Sequence, residues 1–124
     1  MSEDPYSPLV REYFARPVHA GALDDGVAVA VGSQGVRLEL SGAVRDGQIQ
    51  RLRFKAWGCP HLIAACECFC ARYEGEPAQS LEGFLATDIM QILPVPVEKT
   101  GRILVLEDAV RSLGQRFCGG SVPA

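Results

Sequence analysis

Four of the five cysteines in this 124-residue chain fall within the twelve residues from Cys59 to Cys70. Thiols bind soft metals, hold iron–sulfur clusters and act as nucleophiles, in each case as thiolate. Cys59 has the context that favours this form. It lies between Gly58, which lets the chain turn sharply, and Pro60, which suits the first position of a helix. A thiol at that helix N-terminus meets the positive end of the macrodipole, where thiolate is stabilised. Counted at about 100° per residue, Ile63, Cys66, Cys70 and Tyr73 fall within about 40° of Cys59, with Cys68 opposite. Two readings of Cys66 and Cys70 stand side by side. As an i, i+4 pair they are close enough to share a metal ion; as members of a stripe with Ile63 and Tyr73 they form a packed core face. Cys68, beside Glu67, reads as an inert surface thiol, and His19, in a polar loop, as a solvated histidine.

The elements that position these residues follow from periodicity. Ile49 to Trp57 alternates apolar and polar residues and reads as a strand that leads directly into Cys59. Asp46-Gly47 is a turn signal connecting it to an earlier extended segment at Val36 to Leu40. Val27 to Val31 is a further strand, interrupted by Gly32-Ser33-Gln34-Gly35, which lacks the residues that would complete a phosphate loop. Before the strands, Ser7 reads as an N-cap and Pro8 as the first residue of a short helix with Leu9, Val10, Tyr13 and Phe14 on one face. After the cysteine helix come a brief helix behind Ser80 with Leu81, Phe84 and Leu85 inward, and another over Ile89 to Leu93. A final amphipathic helix spans Ile103 to Phe117, with Leu104, Ala109, Val110, Leu113 and Phe117 on its apolar face. The expectation is an α+β fold, a small antiparallel sheet covered on one side by helices. Residues 1–124 form one domain, with 119–124, next to Cys118, as a frayed tail.

A hydrophobic content of 48% gives such a chain enough apolar surface for its own core. The net charge is −3 and no basic stripe is present, which argues against nucleic acid as a partner. No run of 18 apolar residues and no secretory signal is visible, so neither a membrane span nor export is expected, and the cytoplasm is the expected compartment. An odd number of cysteines clustered on one helix is not a disulfide framework.

The residues also resemble a known family, the iron–sulfur cluster assembly scaffolds of the IscU or NifU N-terminal type, from Tyr6 to Phe117. The most specific stretch is Phe54-Lys55-Ala56-Trp57-Gly58-Cys59 with Ile63-Ala64. Tyr6-Ser7, Val10, Pro17 and Gly21 are similar to the family's opening helix and turn, and Thr87-Asp88-Ile89 and Glu107-Asp108-Ala109 complete the pattern. The resemblance implies a three-stranded antiparallel sheet with packed helices, and a cluster or zinc site at one end. It also implies a cysteine desulfurase as partner.

Three cysteines, an aspartate and a histidine hold the cluster or metal in that family. Only Cys59 matches. Gly32 stands at another cysteine position, Gln34 at the aspartate, Gly101 at the histidine and Arg102 at the third cysteine. The family's chaperone-recognition run is matched only loosely by Leu93-Pro94-Val95-Pro96-Val97-Glu98-Lys99, so chaperone handover is not carried across. Zinc takes about four ligands and a cluster typically four thiolates, so Cys59 needs replacements. His61, Cys66 and Cys70 are those within the helix, although Cys66 lies about 10 Å along the axis. A homodimer sharing a cluster through two Cys59 residues is the easier geometry. Arg102 beside Cys59 would instead favour a thiolate or persulfide. The leading function is thus a binding scaffold for iron, zinc, a cluster or sulfur, rather than an enzyme. A metal-free regulatory partner of the desulfurase or of the regular scaffold comes next, and a thiol transfer enzyme last, since no CxxC motif or catalytic base accompanies Cys59.

Overall fold

Two tight turns set the sheet. In the computed structural model, which describes residues 8–15 and 17–119, Gln34-Gly35 and Asp46-Gly47 both have positive φ at their two residues. Such turns match the twist of the strands that they join. They connect β1 (Val27–Ser33), β2 (Val36–Arg45) and β3 (Gln48–Trp57) into an antiparallel sheet of order β1-β2-β3. The register runs from Ser33 opposite Val36 to Val27 opposite Gly42, and from Arg45 opposite Gln48 to Arg37 opposite Trp57. The strands are longer than their apolar alternation suggests, because β2 continues past Leu40 through a bulge at Ala43 and Val44.

One face of the sheet is covered by α2 (Pro60–Tyr73), packed mainly on β3, and by α4 (Thr100–Gly119), packed on β1 and β2. Val36, Leu38, Leu40, Leu52 and Phe54 meet Leu62, Phe69, Ile103, Leu106, Val110 and Leu113 in one core. An 8-residue α1 (Pro8–Ala15) lies on α2 from the other side. The residues between α2 and α4 form a 3₁₀ turn (Ala78–Gly83), α3 (Ala86–Ile92) and a second 3₁₀ turn (Val97–Lys99). They are anchored by Phe84, whose ring meets Phe69 edge-on at 5.1 Å and Tyr73 at 5.7 Å. The Glu107 carboxylate accepts the Ala86 N–H at 2.7 Å and so fixes the start of α3 to α4.

Four expectations need correction. Cys68 is buried, not on the surface, because α1 covers the outer face of α2 and makes it buried nearly all round from His61 to Cys70. Leu85 and Leu104, assigned to apolar faces, are exposed; Phe84 and Ile103 turn inward in their place. The last helix begins at Thr100 rather than Ile103, so Gly101 and Arg102 lie in its first turn. It also extends to Gly119, while residues 120–124 and the Ser7 cap lie outside the described residues. The fourth concerns His19. It is not a solvated loop residue, since its backbone pairs with the outer edge of β3, its carbonyl accepting the Phe54 N–H at 3.0 Å. Gly21 N–H then donates to the Phe54 carbonyl at 2.7 Å, which closes this part of an edge that would otherwise be open. Among the described residues, no helix is long and apolar enough to cross a membrane.

Candidate functional site

β3 ends at Trp57, and the chain reverses into α2 through Gly58 at φ +105°. A side chain is excluded there twice over. The backbone conformation is one that L-residues rarely adopt, and a Cβ would come 2.9 Å from the Gly35 carbonyl oxygen and 3.1 Å from Val36 Cγ1. The glycine therefore lets the start of α2 lie directly against the β1–β2 turn. Cys59 is the extended N-cap residue, Pro60 follows in the first turn, and the Ile63 N–H donates to the Cys59 carbonyl at 3.1 Å. The N-cap geometry predicted around Cys59 is present, but the thiol is not open to water: Cys59 is 2% exposed.

The other end of the chain reaches the same place. A Cβ on Gly101 would meet Gln34 Oε1 at 3.1 Å, so the first turn of α4 faces the turn between β1 and β2. His61, 2% exposed, is held below the usual imidazole range, chiefly by burial and then by the charges of Lys99 and Arg102; Glu98 acts in the opposite direction. The 3₁₀ turn and the start of α4 thus bear on the first turn of α2. Arg37, opposite Gly32 across β1 and β2, stands 5.7 Å over the Trp57 ring and pairs with Glu39 at 3.0 Å. Gln34, Cys59, His61, Gly101 and Arg102 therefore gather at one end of the fold, with Gly32 two residues from Gln34 on the strand that leads there.

Cys66 and Cys70 do not join them. Both are fully buried in the body of α2. Burial first, then Glu67, pushes the Cys66 thiol far up; burial first, then Cys66 and the nearby carboxylates, does the same to Cys70. Thiols held protonated in this way are poor ligands. Burial also raises Cys68, with Arg72 opposing and Glu67 adding to the rise. Among the described residues, no group of three or more His, Cys, Asp or Glu side chains is placed to hold a metal ion. A zinc ion or cluster needs about four donors, and the gathered end offers a single thiol and a single imidazole, with a guanidinium that cannot coordinate. These residues do not fit a metal chelated within one chain.

The sequence reading missed a polar cluster behind the site. Glu67, with a side chain 3% exposed, accepts the His19 backbone N–H at 2.8 Å and lies 2.6 Å from His19 Nδ1. His19 Nε2 meets Glu74 at 3.1 Å. The other Glu74 oxygen accepts from the Leu52 N–H at 2.9 Å and from Arg53 at 3.1 Å. Burial pushes Glu74 up, but the bonds from Leu52, His19 and Arg53 outweigh it and hold the carboxyl below its usual range. The available signal was the spacing of Glu67 and Glu74, seven residues apart and so on one side of a helix; nothing local in sequence linked either to His19.

Residues 5–117 match the family described as the NifU-like N terminal domain. The chain is 26% identical over 114 residues to the iron-sulfur cluster assembly scaffold protein IscU of Escherichia coli, covering 86% of this chain and 89% of that one. It is 26% identical over 115 residues to the mitochondrial iron sulfur cluster assembly protein 1 of Eremothecium gossypii, covering 86% and 75%. The crystal structure of a nitrogen-fixing NifU-like protein (N-terminal) from Brucella abortus has the same fold, with a TM-score of 0.62 at 15% identity over 89% of this chain and 94% of that one. A match over residues 5–117, with the sheet, its turns and the Gly58-Cys59 junction in place, makes the chain a member of the NifU-like N-terminal domain family.

Proposed function

We propose that this protein works in iron–sulfur cluster assembly as a scaffold-type protein, with Cys59 as the residue that takes up sulfur or the nascent cluster and a cysteine desulfurase as its partner. The observation that carries this reading is the gathering of three distant segments around one helix N-terminus. The turn at Gln34-Gly35, the junction Gly58-Cys59 and the first turn of α4 at Gly101 meet there. Family membership and the scaffold names of its relatives support it.

The residues divide the work. Gly58 brings the N-terminus of α2 against the turn, so the thiol lies where backbone N–H groups and the macrodipole favour negative charge. Trp57, 47% exposed beside that junction, gives a partner an apolar contact within two residues of the thiol. The iron and sulfur are cargo, delivered and removed, and the fold itself rests on its apolar core.

The test is the reactivation of an apo iron–sulfur protein by a cysteine desulfurase, cysteine and ferrous iron under anaerobic conditions. Added wild-type protein is expected to speed recovery of the acceptor, and Cys59→Ala is expected to have no effect. Equal recovery with wild type, Cys59→Ala and no addition would reject the reading.

A further inference from the structure

We infer that the end of the fold around Cys59 does not chelate a metal within one chain, and that it holds instead a sulfane sulfur bonded to Cys59, as a metal-free carrier with a single thiol. The inference rests on the reading of Cys59 as the working residue and narrows its cargo.

The donor inventory comes first. Gly32 and Gly101 offer no side chain, Gln34 only an amide and Arg102 a permanent cation, which leaves Cys59 and His61. No third His, Cys, Asp or Glu joins them among the described residues. The charges come next. Lys99 and Arg102 both bear on the His61 ring, against Glu98 alone. Surroundings of this sign repel a divalent ion and favour an anion, and a persulfide is an anion with its charge one atom further from the backbone than a thiolate.

The thiols complete the case. A persulfide is lost when a neighbouring thiolate attacks it, forms a disulfide and releases sulfide. Cys66 is seven residues further along α2, about 10 Å at 1.5 Å per residue, and is buried and protonated like Cys70. Among the described residues, no thiol reaches Cys59. At 2% exposure the bound sulfur is also shielded from water, and loading requires the Gln34-Gly35 turn to part from Gly58.

Loading balances without an oxidant. The Cys59 thiolate attacks the terminal sulfur of a cysteine persulfide on a donor protein and a new S–S bond forms on Cys59. The donor's S–S bond breaks, and the donor cysteine leaves as thiolate with the bonding pair. The transferred sulfur keeps its oxidation state.

The test needs no desulfurase. Wild type, Cys59→Ser and Arg102→Ala are dialysed against zinc chloride, and metal per chain is measured; separately they are treated with sodium polysulfide and the added sulfur is followed by intact mass. Wild type and Cys59→Ser are expected to hold the same metal, essentially none. Sulfur is expected to load on wild type and not on Cys59→Ser, and to be lost several-fold faster from Arg102→Ala. Zinc that is present in wild type and absent in Cys59→Ser, at one or one half per chain, would overturn the inference, as would equal sulfur loss from wild type and Arg102→Ala. A positive control is the combination Gln34→Asp, Gly101→His and Arg102→Cys, which places three donors where the structure gathers the segments. It is expected to bind zinc in a Cys59-dependent way, and a folded variant that binds none would contradict the gathering. Because polysulfide replaces the partner, sulfur loading without acceptor reactivation would refute the assembly role and leave this inference standing.

Discussion

Gln34 and Gly101, 67 positions apart in sequence, face each other so closely that a methyl group on Gly101 would stand 3.1 Å from Gln34 Oε1. The contact is with the free end of a flexible side chain, which can swing away. Gly101→Ala is therefore expected to be neutral or stabilising, within about 1 kcal/mol, since alanine is the better helix former. Urea unfolding measures it; a loss above that range would mean that the two segments are clamped rather than touching.

Gly58 is the opposite case. Its φ is +105° and its close neighbour is a backbone oxygen, which cannot swing away. Gly58→Ala is expected to cost about 2–3 kcal/mol in the same measurement. A variant as stable as wild type would show that the junction relaxes and that the start of α2 is not held against the turn.

How far these positions were legible depends on how local their cause is. Asp46-Gly47 announces its turn by itself, and Phe54 to Pro60 announces a strand that ends in a helix, because turn chemistry and alternation are short-range. The burial of Cys68 and Glu67 was not legible. A helical wheel places them opposite Cys66 and Cys70, and the inference from that side to solvent fails because α1 covers it. For the candidate site, the sequence marked Cys59 through its glycine and proline neighbours. The contact of Gln34 with Gly101, and the bearing of Arg102 on His61, depend on tertiary packing and became visible only with the fold.

The buried thiols give a further expectation. Cys66 and Cys70 are at 0% exposure with their thiols pushed up, so alkylation of the native protein at pH 8 should be slow at both and become fast on unfolding. Cys70→Ser should destabilise the domain by about 1–3 kcal/mol, the cost of a hydroxyl in an apolar setting. Fast native labelling at either position, read by peptide mass mapping, would contradict their placement.

His19 fastens the loop before β1 to α2. His19→Ala strands the Glu67 carboxylate, whose side chain is 3% exposed, and should cost about 3 kcal/mol. Adding Glu67→Gln to His19→Ala should recover part of that loss. If the double variant is no better than His19→Ala, the buried carboxylate is not what the histidine satisfies.

Glu74 makes stability depend on acid. Its carboxyl is held below the usual range in the folded state, so the folded protein binds fewer protons than the unfolded one through the acid range. This contribution is fully present above the unfolded value of about 4.5 and is lost as pH falls through the lower folded value. Glu74→Gln should therefore be less stable than wild type at pH 7, by about 1 kcal/mol, and the gap should close toward pH 3. A gap independent of pH would mean that the loss comes from packing, not from charge.

The central claim is that Cys59 alone takes up cargo. The most direct measurement is to incubate the protein anaerobically with a cysteine desulfurase and cysteine, then map the added sulfur by peptide mass. One sulfur on the peptide that carries Cys59, and none on any peptide of the Cys59→Ser variant, is the predicted result. Sulfur on Cys66, Cys68, Cys70 or Cys118 with Cys59 unmodified, or no sulfur on any cysteine, would contradict the account.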